Sequence, residues 1–133
     1  MIEHLSSTEA FELLSTNPDA VLVDVRTQAE WMFVGVPHLE GIDKQVHTLE
    51  WNQYPSGHNA LFVRQVVDAV PNKDAPVLLL CRSGARSLAA AEALTEAGYA
   101  RPINVTAGFE GDLNAENHRE GGWKTSGLPW KQG

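Results

Sequence analysis

Cys81 ends the apolar run Val77-Leu78-Leu79-Leu80 and is followed at once by Arg82-Ser83-Gly84-Ala85-Arg86-Ser87, then by the helix-forming Leu88-Ala89-Ala90-Ala91-Glu92-Ala93-Leu94. Thiolate chemistry is what such a segment can do. A short loop that opens into a helix points several N–H groups into one concavity, and the first helical turn adds partial positive charge, so an anion is stabilised there. Gly84 allows the tight turn. A free thiol with a pKa of about 8.5 is only a few per cent thiolate at neutral pH, whereas thiols at helix N-termini beside arginines fall to about 3.5 to 7.5. A shift of about two units needs roughly 2.7 kcal/mol of differential stabilisation, which oriented amides and two guanidinium charges can supply. A lone cysteine ending a strand is ordinarily a small buried hydrophobe. The charged Arg82, the glycine and Arg86 four residues after Arg82 argue here for a nucleophile.

The elements around it alternate between strand and helix patterns. Ser6-Ser7-Thr8-Glu9 has capping-box spacing ahead of Ala10, Phe11, Leu13 and Leu14 on one helical face. Ala20 to Val23 reads as a buried strand whose end delivers Asp24 and Arg26. Thr27 and Glu30 repeat the cap for a short helix that Gly35 ends, and Phe62, Val63, Val66, Val67 and Val70 recur at helical spacing. Residues 36–58 are the least legible, with one strand expected near Gln45 to Leu49 and a turn at Pro55-Ser56-Gly57. Val77 to Leu80 and Pro102 to Thr106 supply the later strands, and Gly98 stops the helix between them. The pattern predicts one α/β domain over residues 1–133 in three layers, a largely parallel sheet with helices on both faces. Ligands of such sheets bind at the carboxyl ends of the strands, which is where Cys81 and Asp24 stand.

Composition fits one globular core, with 43% apolar and 20% charged residues in 133. The formal net charge of −7 argues against nucleic acid and anionic membranes as partners. It also repels anionic substrates at long range, so any attraction must come from Arg82, Arg86 and the loop amides at short range. No run of about twenty apolar residues is present, and no signal-peptide pattern opens the chain. A single Cys can form no internal disulfide, which favours a reducing, cytoplasmic setting. Histidines at 4, 38, 47, 58 and 118 lack ligand spacing, so no metal is expected. Of these, His38 and His58 could border the cleft, though surface positions are commoner.

From Cys81 to Ser87, in its strand–loop–helix setting, the chain resembles the rhodanese family of sulfurtransferases, whose active-site loop has six residues beginning with the nucleophilic Cys. The resemblance extends to Val23-Asp24-Val25-Arg26 with Glu30-Trp31, to Asn104-Val105 with Gly108-Phe109-Glu110-Gly111, and to the tail Gly122-Trp123-Lys124 and Gly127-Leu128-Pro129-Trp130. The family's Gly-His-Ile-Pro-Gly-Ala segment is replaced by Gly35-Val36-Pro37-His38-Leu39-Glu40-Gly41-Ile42. Related cysteine phosphatases carry one loop residue more, in keeping with an amide ring around a phosphate rather than a sulfur.

What the resemblance implies is a rhodanese-like sulfurtransferase that moves sulfane sulfur through a persulfide on Cys81. Thiosulfate or a similar small donor would supply it, and cyanide, a thiol or a protein acceptor would take it, with no cofactor. Arg82, Ser83, Gly84, Ala85, Arg86 and Ser87 would form the anion-binding loop. At its strand end Asp24 is expected either to orient Arg86 or the loop amides or simply to accept nearby loop amides or a helix terminus, and Arg26 to be a rim charge more than a substrate contact. The rivals are a non-catalytic persulfide carrier or redox-sensing module and, with less support, a phosphatase or an arsenate reductase. Loop length opposes the phosphatase, and the lack of a second cysteine opposes reductases that resolve through one.

Overall fold

A computed structural model describes residues 2–53 and 57–132, which leaves Pro55 and Ser56 of the expected turn outside the described residues. In chain order the elements are β1 (Glu3–Leu5), α1 (Ser7–Thr16), β2 (Val21–Asp24), α2 (Gln28–Phe33), β3 (Val36–Pro37) and a 3-10 turn at Glu40–Ile42. There follow β4 (His47–Thr48), β5 (Asn52–Gln53), β6 (Gly57–His58), α3 (Phe62–Ala69), β7 (Val77–Leu80) and α4 (Ala85–Glu96). The chain finishes with β8 (Pro102–Val105), β9 (Asp112–Leu113), β10 (Arg119–Glu120) and β11 (Trp130–Lys131).

Five strands form one parallel sheet in the order β1-β8-β7-β2-β4. Its buried strands are the apolar runs of the sequence, and their side chains divide between the two faces with the period of two that a strand imposes. Val23, Val25, Val77, Leu79 and Cys81 meet Phe62 and Val66 of α3 and Ala90, Ala91 and Leu94 of α4. Leu22, Leu78, Leu80, Ile103 and Val105 meet Ala10 and Leu14 of α1, together with Phe109 and Trp123. Each such fully buried aliphatic side chain contributes about 1.5–3 kcal/mol relative to exposure. The α/β three-layer arrangement with a parallel sheet is therefore the observed one.

Both capping boxes form. Ser6 and Glu9 cap α1, and Thr27 and Glu30 cap α2, each by reciprocal side-chain and backbone hydrogen bonds. The strand expected from Gln45 to Leu49 shortens to His47–Thr48 at the sheet edge, in register with Val23 and Asp24. Residues Val36 and Pro37 do not join that sheet. They pair antiparallel with Lys131 and Trp130, so the far end of the chain closes over the segment the sequence left hardest to read. No helix among the described residues is long and apolar enough to cross a membrane.

Candidate active site

Cys81 is the first residue after β7 and is 1% exposed. The Gly84 N–H donates to its Sγ at 3.0 Å, and Gly84 has φ +108°, a conformation that side-chain-bearing residues rarely adopt. α4 begins at Ala85, directly after that glycine, so the partial positive charge of its first turn opens at the end of the loop that holds the sulfur. A second turn holds this loop from outside. Phe109 and Glu110 donate their backbone N–H groups to the Cys81 and Arg82 carbonyls at 2.7 and 3.0 Å. Gly108 makes that approach possible: its φ is +60°, and a Cβ there would lie 2.3 Å from the Cys81 carbonyl oxygen. The sequence placed Gly108 only in a turn after the last strand, and nothing local in it shows the contact with Cys81.

Two arginines reach carboxylates, with partners other than those expected. Asp24 does not hold Arg86. Its Oδ1 accepts Arg26 Nε at 2.9 Å and the Arg26 backbone N–H at 3.1 Å, while Oδ2 accepts Arg26 Nη2 at 2.6 Å. Arg26 is not a rim charge either, because its side chain is wholly buried, donates Nη2 to the Gly35 carbonyl at 2.7 Å and lies 4.2 Å over the Phe109 ring. Chain geometry explains the difference: residues two apart beyond a strand end share one side, so Asp24 and Arg26 pair with each other before either reaches α4.

Arg86 pairs instead with Glu30, Nη1 to Oε1 at 2.7 Å and Nη2 to Oε2 at 3.0 Å. Burial pushes the Glu30 carboxyl up, but the Arg86 hydrogen bonds and charge, with the Thr27 donors, hold it below its ordinary range. The Arg86 guanidinium is held above its ordinary range, first by the hydrogen bonds to Glu30 against the opposing cost of burial, and further by the charges of Glu30, Cys81 and Asp24. Glu30 thus caps α2 and locks α4 to it. The sequence reading saw only the cap. Arg82, by contrast, is exposed and makes no ion pair among the described residues.

The family model described as STR4 middle domain matches residues 2–133. The chain belongs to that family. Among solved structures, the crystal structure of Rv0390 from M. tuberculosis is 49% identical and superposes with a TM-score of 0.90, covering 98% of each chain. An uncharacterized Rickettsia conorii protein is 39% identical over 130 residues, 98% of both chains. A sulfurtransferase of Allochromatium vinosum is 28% identical over 109 residues, 82% of this chain and 86% of its own. The polysulfide-sulfur transferase homodimer of Wolinella succinogenes, at 23% identity and a TM-score of 0.66 over 99% of this chain and 80% of its own, shares the rhodanese-like fold.

In this STR4 middle-domain chain the Ser87 hydroxyl lies 3.3 Å from Cys81 Sγ and donates to Asn104 Oδ1 at 2.6 Å. Ser87 and Asn104 are both buried. Ser83 and Gly84 are half-buried, and Ala85 is exposed at the helix start. His38 and Thr48 line a cavity of about 270 Å³ between β3, β4 and β11, and none of residues 81–87 is in its wall. His58 packs edge-on against Trp51 at 4.5 Å. Trp123 is wholly buried in the core and donates Nε1 to the Pro129 carbonyl at 2.7 Å.

Proposed function

We propose that the protein is a sulfurtransferase in which Cys81 carries sulfane sulfur as a persulfide, residues 1–133 acting as one domain. The observation that supports it most is Cys81 Sγ seated on the Gly84 N–H at the mouth of α4, inside a loop with four residues between Cys81 and Arg86. The Allochromatium relative's name and the rhodanese-like fold point the same way.

The thiolate attacks the outer sulfur of thiosulfate or a similar small donor. A new S–S bond forms, the donor's S–S bond breaks, and sulfite departs with the bonding pair. The terminal sulfur of the persulfide is anionic, and the preorganised N–H groups between Arg82 and Ser87 stabilise it without reorganising. Exposed Arg82 meets the donor's oxygens, while Arg86, committed to Glu30, fixes the loop rather than the substrate. A thiophile such as cyanide, a cellular thiol or a protein thiol then takes the terminal sulfur and returns Cys81 to the thiolate. No metal or organic cofactor enters either half-reaction. A free cysteine supports a reducing, cytoplasmic compartment.

Mass spectrometry of the intact protein tests this reading. Incubation with thiosulfate adds the mass of one sulfur atom, cyanide removes it, and Cys81→Ser shows neither. A folded wild-type protein that never gains sulfur would replace the enzyme with a binding module. A loop of this length should also crowd a phosphoryl group, so efficient hydrolysis of aryl phosphates would remove the sulfur reading altogether.

A further inference from the structure

Behind Cys81 a row of polar side chains crosses the sheet to its edge. Ser87 sits between Cys81 Sγ at 3.3 Å and Asn104 Oδ1 at 2.6 Å, and Asn104 Nδ2 lies 3.3 Å from His4 Nδ1. His4 and Asn104 are register partners on neighbouring parallel strands, and His4 is exposed while Ser87 and Asn104 are buried. Proton counting along this row constrains it. A serine hydroxyl has one proton, and an amide oxygen can only accept. With Oδ1 facing Ser87, the hydroxyl proton is committed to Asn104, and Ser87 can offer Cys81 only a lone pair. That arrangement suits a thiol, which donates S–H to Ser87, and leaves a thiolate or persulfide without the hydroxyl proton.

We propose that His4, acting through Asn104, is a positioning residue that sets whether the Ser87 hydroxyl points at the Cys81 sulfur or away from it. An acceptor lone pair on His4 Nδ1 holds Nδ2 of Asn104 and so keeps Oδ1 on Ser87. When Nδ1 carries a proton, it faces the amide's N–H, and two donors cannot bond. Turning the amide about its last torsion presents Oδ1 to His4 and Nδ2 to Ser87. Ser87 then accepts from Asn104 and donates its own proton to sulfur, a charge-assisted hydrogen bond available only to the anionic forms. The only covalent bond lost from Cys81 is S–H, whose proton passes to water. The consequence for sulfur transfer rests on the function proposed above, whereas the hydrogen-bond switch does not.

Neighbouring charges are held by partners of their own: Arg86 on Glu30, Arg26 on Asp24, and Arg101 on Glu3. A His4 substitution leaves those pairs, and exposed Arg82, in place. The test is the rate of Cys81 alkylation by iodoacetamide at neutral pH, read together with thiolate ultraviolet absorbance, in His4→Ala, Ser87→Ala and the double variant. Freed from His4, Asn104 can turn, so His4→Ala should alkylate about three- to tenfold faster with a matching rise in absorbance. In the Ser87→Ala background the same His4 change should do nothing. Asn104→Asp, with two acceptor oxygens and no donor, should slow alkylation. An unchanged rate in His4→Ala, or an equal change with Ser87 absent, would overturn the proposal, the latter by showing a direct charge effect. His4 is exposed, so its variant tests the row even if Asn104→Asp fails to fold. Alkylation uses no sulfur donor, so a failed switch beside a normal persulfide adduct, or the reverse, shows which reading fell.

Discussion

Arg26 and Arg86 each close a fork on a carboxylate, yet the Arg26–Asp24 side chains are 0% exposed and the Arg86–Glu30 side chains are 25% and 21% exposed. A third fork, Arg101 on Glu3, has nearly the same geometry at 44% and 39% exposure. The three differ in depth far more than in bond length. In a medium that screens charge, depth decides what a pair does: the deepest is a structural unit that cannot lose one member, the middle one ties the Cys81 loop to its neighbour, and the outermost is close to neutral in energy.

The deepest pair should give the largest response. Arg26→Ala leaves Asp24 buried without its partner, and removing one member of such a pair costs about 3–5 kcal/mol. It also empties the space over Phe109 and frees the Gly35 carbonyl. Urea or thermal unfolding should show that loss, with activity falling only in proportion to the folded fraction. A stable Arg26→Ala protein lacking sulfur transfer would mean instead that Arg26 touches substrate, and would reverse the contrast with Arg86.

Next comes the turn that carries both the loop and Phe109. Gly108→Ala combines φ +60° with a Cβ 2.3 Å from the Cys81 carbonyl oxygen, and backbone cannot yield as a side chain can. About 2–4 kcal/mol of destabilisation is expected. The matching change Gly84→Ala meets nothing nearer than 3.7 Å and keeps only the strain of its φ, so it should cost less, about 1–2 kcal/mol. If both cost the same in a denaturant titration, the clamp by residues 108–110 is not what fixes the Cys81 loop.

The middle fork should show itself in activity more than in stability. Glu30→Gln should cost about 1 kcal/mol but lower thiosulfate turnover about ten- to a hundredfold, because a freed Arg86 lets the loop shift by a fraction of an ångström. Its pH dependence has a definite sign. Glu30 has a folded-state pKa below its unfolded one, so the unfolded chain binds more protons between the two values, and the pair's contribution is present above the ordinary glutamate range and fades as pH falls through the depressed value. The stability difference between wild type and Glu30→Gln should therefore be full near neutrality and shrink below pH about 4. A difference that grew on acidification would be inconsistent with the ion pair.

These contrasts mark how far the sequence could be read. Strand runs, capping boxes and the Cys81 loop are local signals, set by side-chain period and by residues three or four apart, and they appear where expected in the structure. Glu30 was visible as a cap because Thr27 is three residues away, but its bond to Arg86 spans 56 positions and has no local mark. The Asp24–Arg26 pair was in view as two separate charges. What was missing was that they neutralise each other, which let both be buried and left Arg86 to another partner. Val36 and Pro37 were obscure because a two-residue strand has no period to detect, and its partners lie at the end of the chain. Asn104 and His4 fall in the same class, since only sheet register puts them side by side.

The outermost fork sets the smallest effect and the sharpest control. Arg101 holds Glu3 by Nε to Oε1 at 2.9 Å and Nη2 to Oε2 at 3.0 Å, as good a geometry as the other two. Hydrogen bonding by Arg101 is the first cause lowering the Glu3 carboxyl, opposed by slight burial. Solvent screens most of that interaction, and two long side chains lose rotamer freedom in forming it, so the pair should be worth about 0 to 0.5 kcal/mol. Arg101→Gln should leave the unfolding midpoint almost unchanged, and whatever difference exists should vanish as salt shortens the Debye length to about 3 Å near 1 M. Raised salt should leave the loss in Arg26→Ala nearly intact and reduce that in Glu30→Gln only in part. Three variants responding alike to salt would mean that burial does not rank these forks, and the assignment of Arg26 to structure and Arg86 to the loop would need another basis.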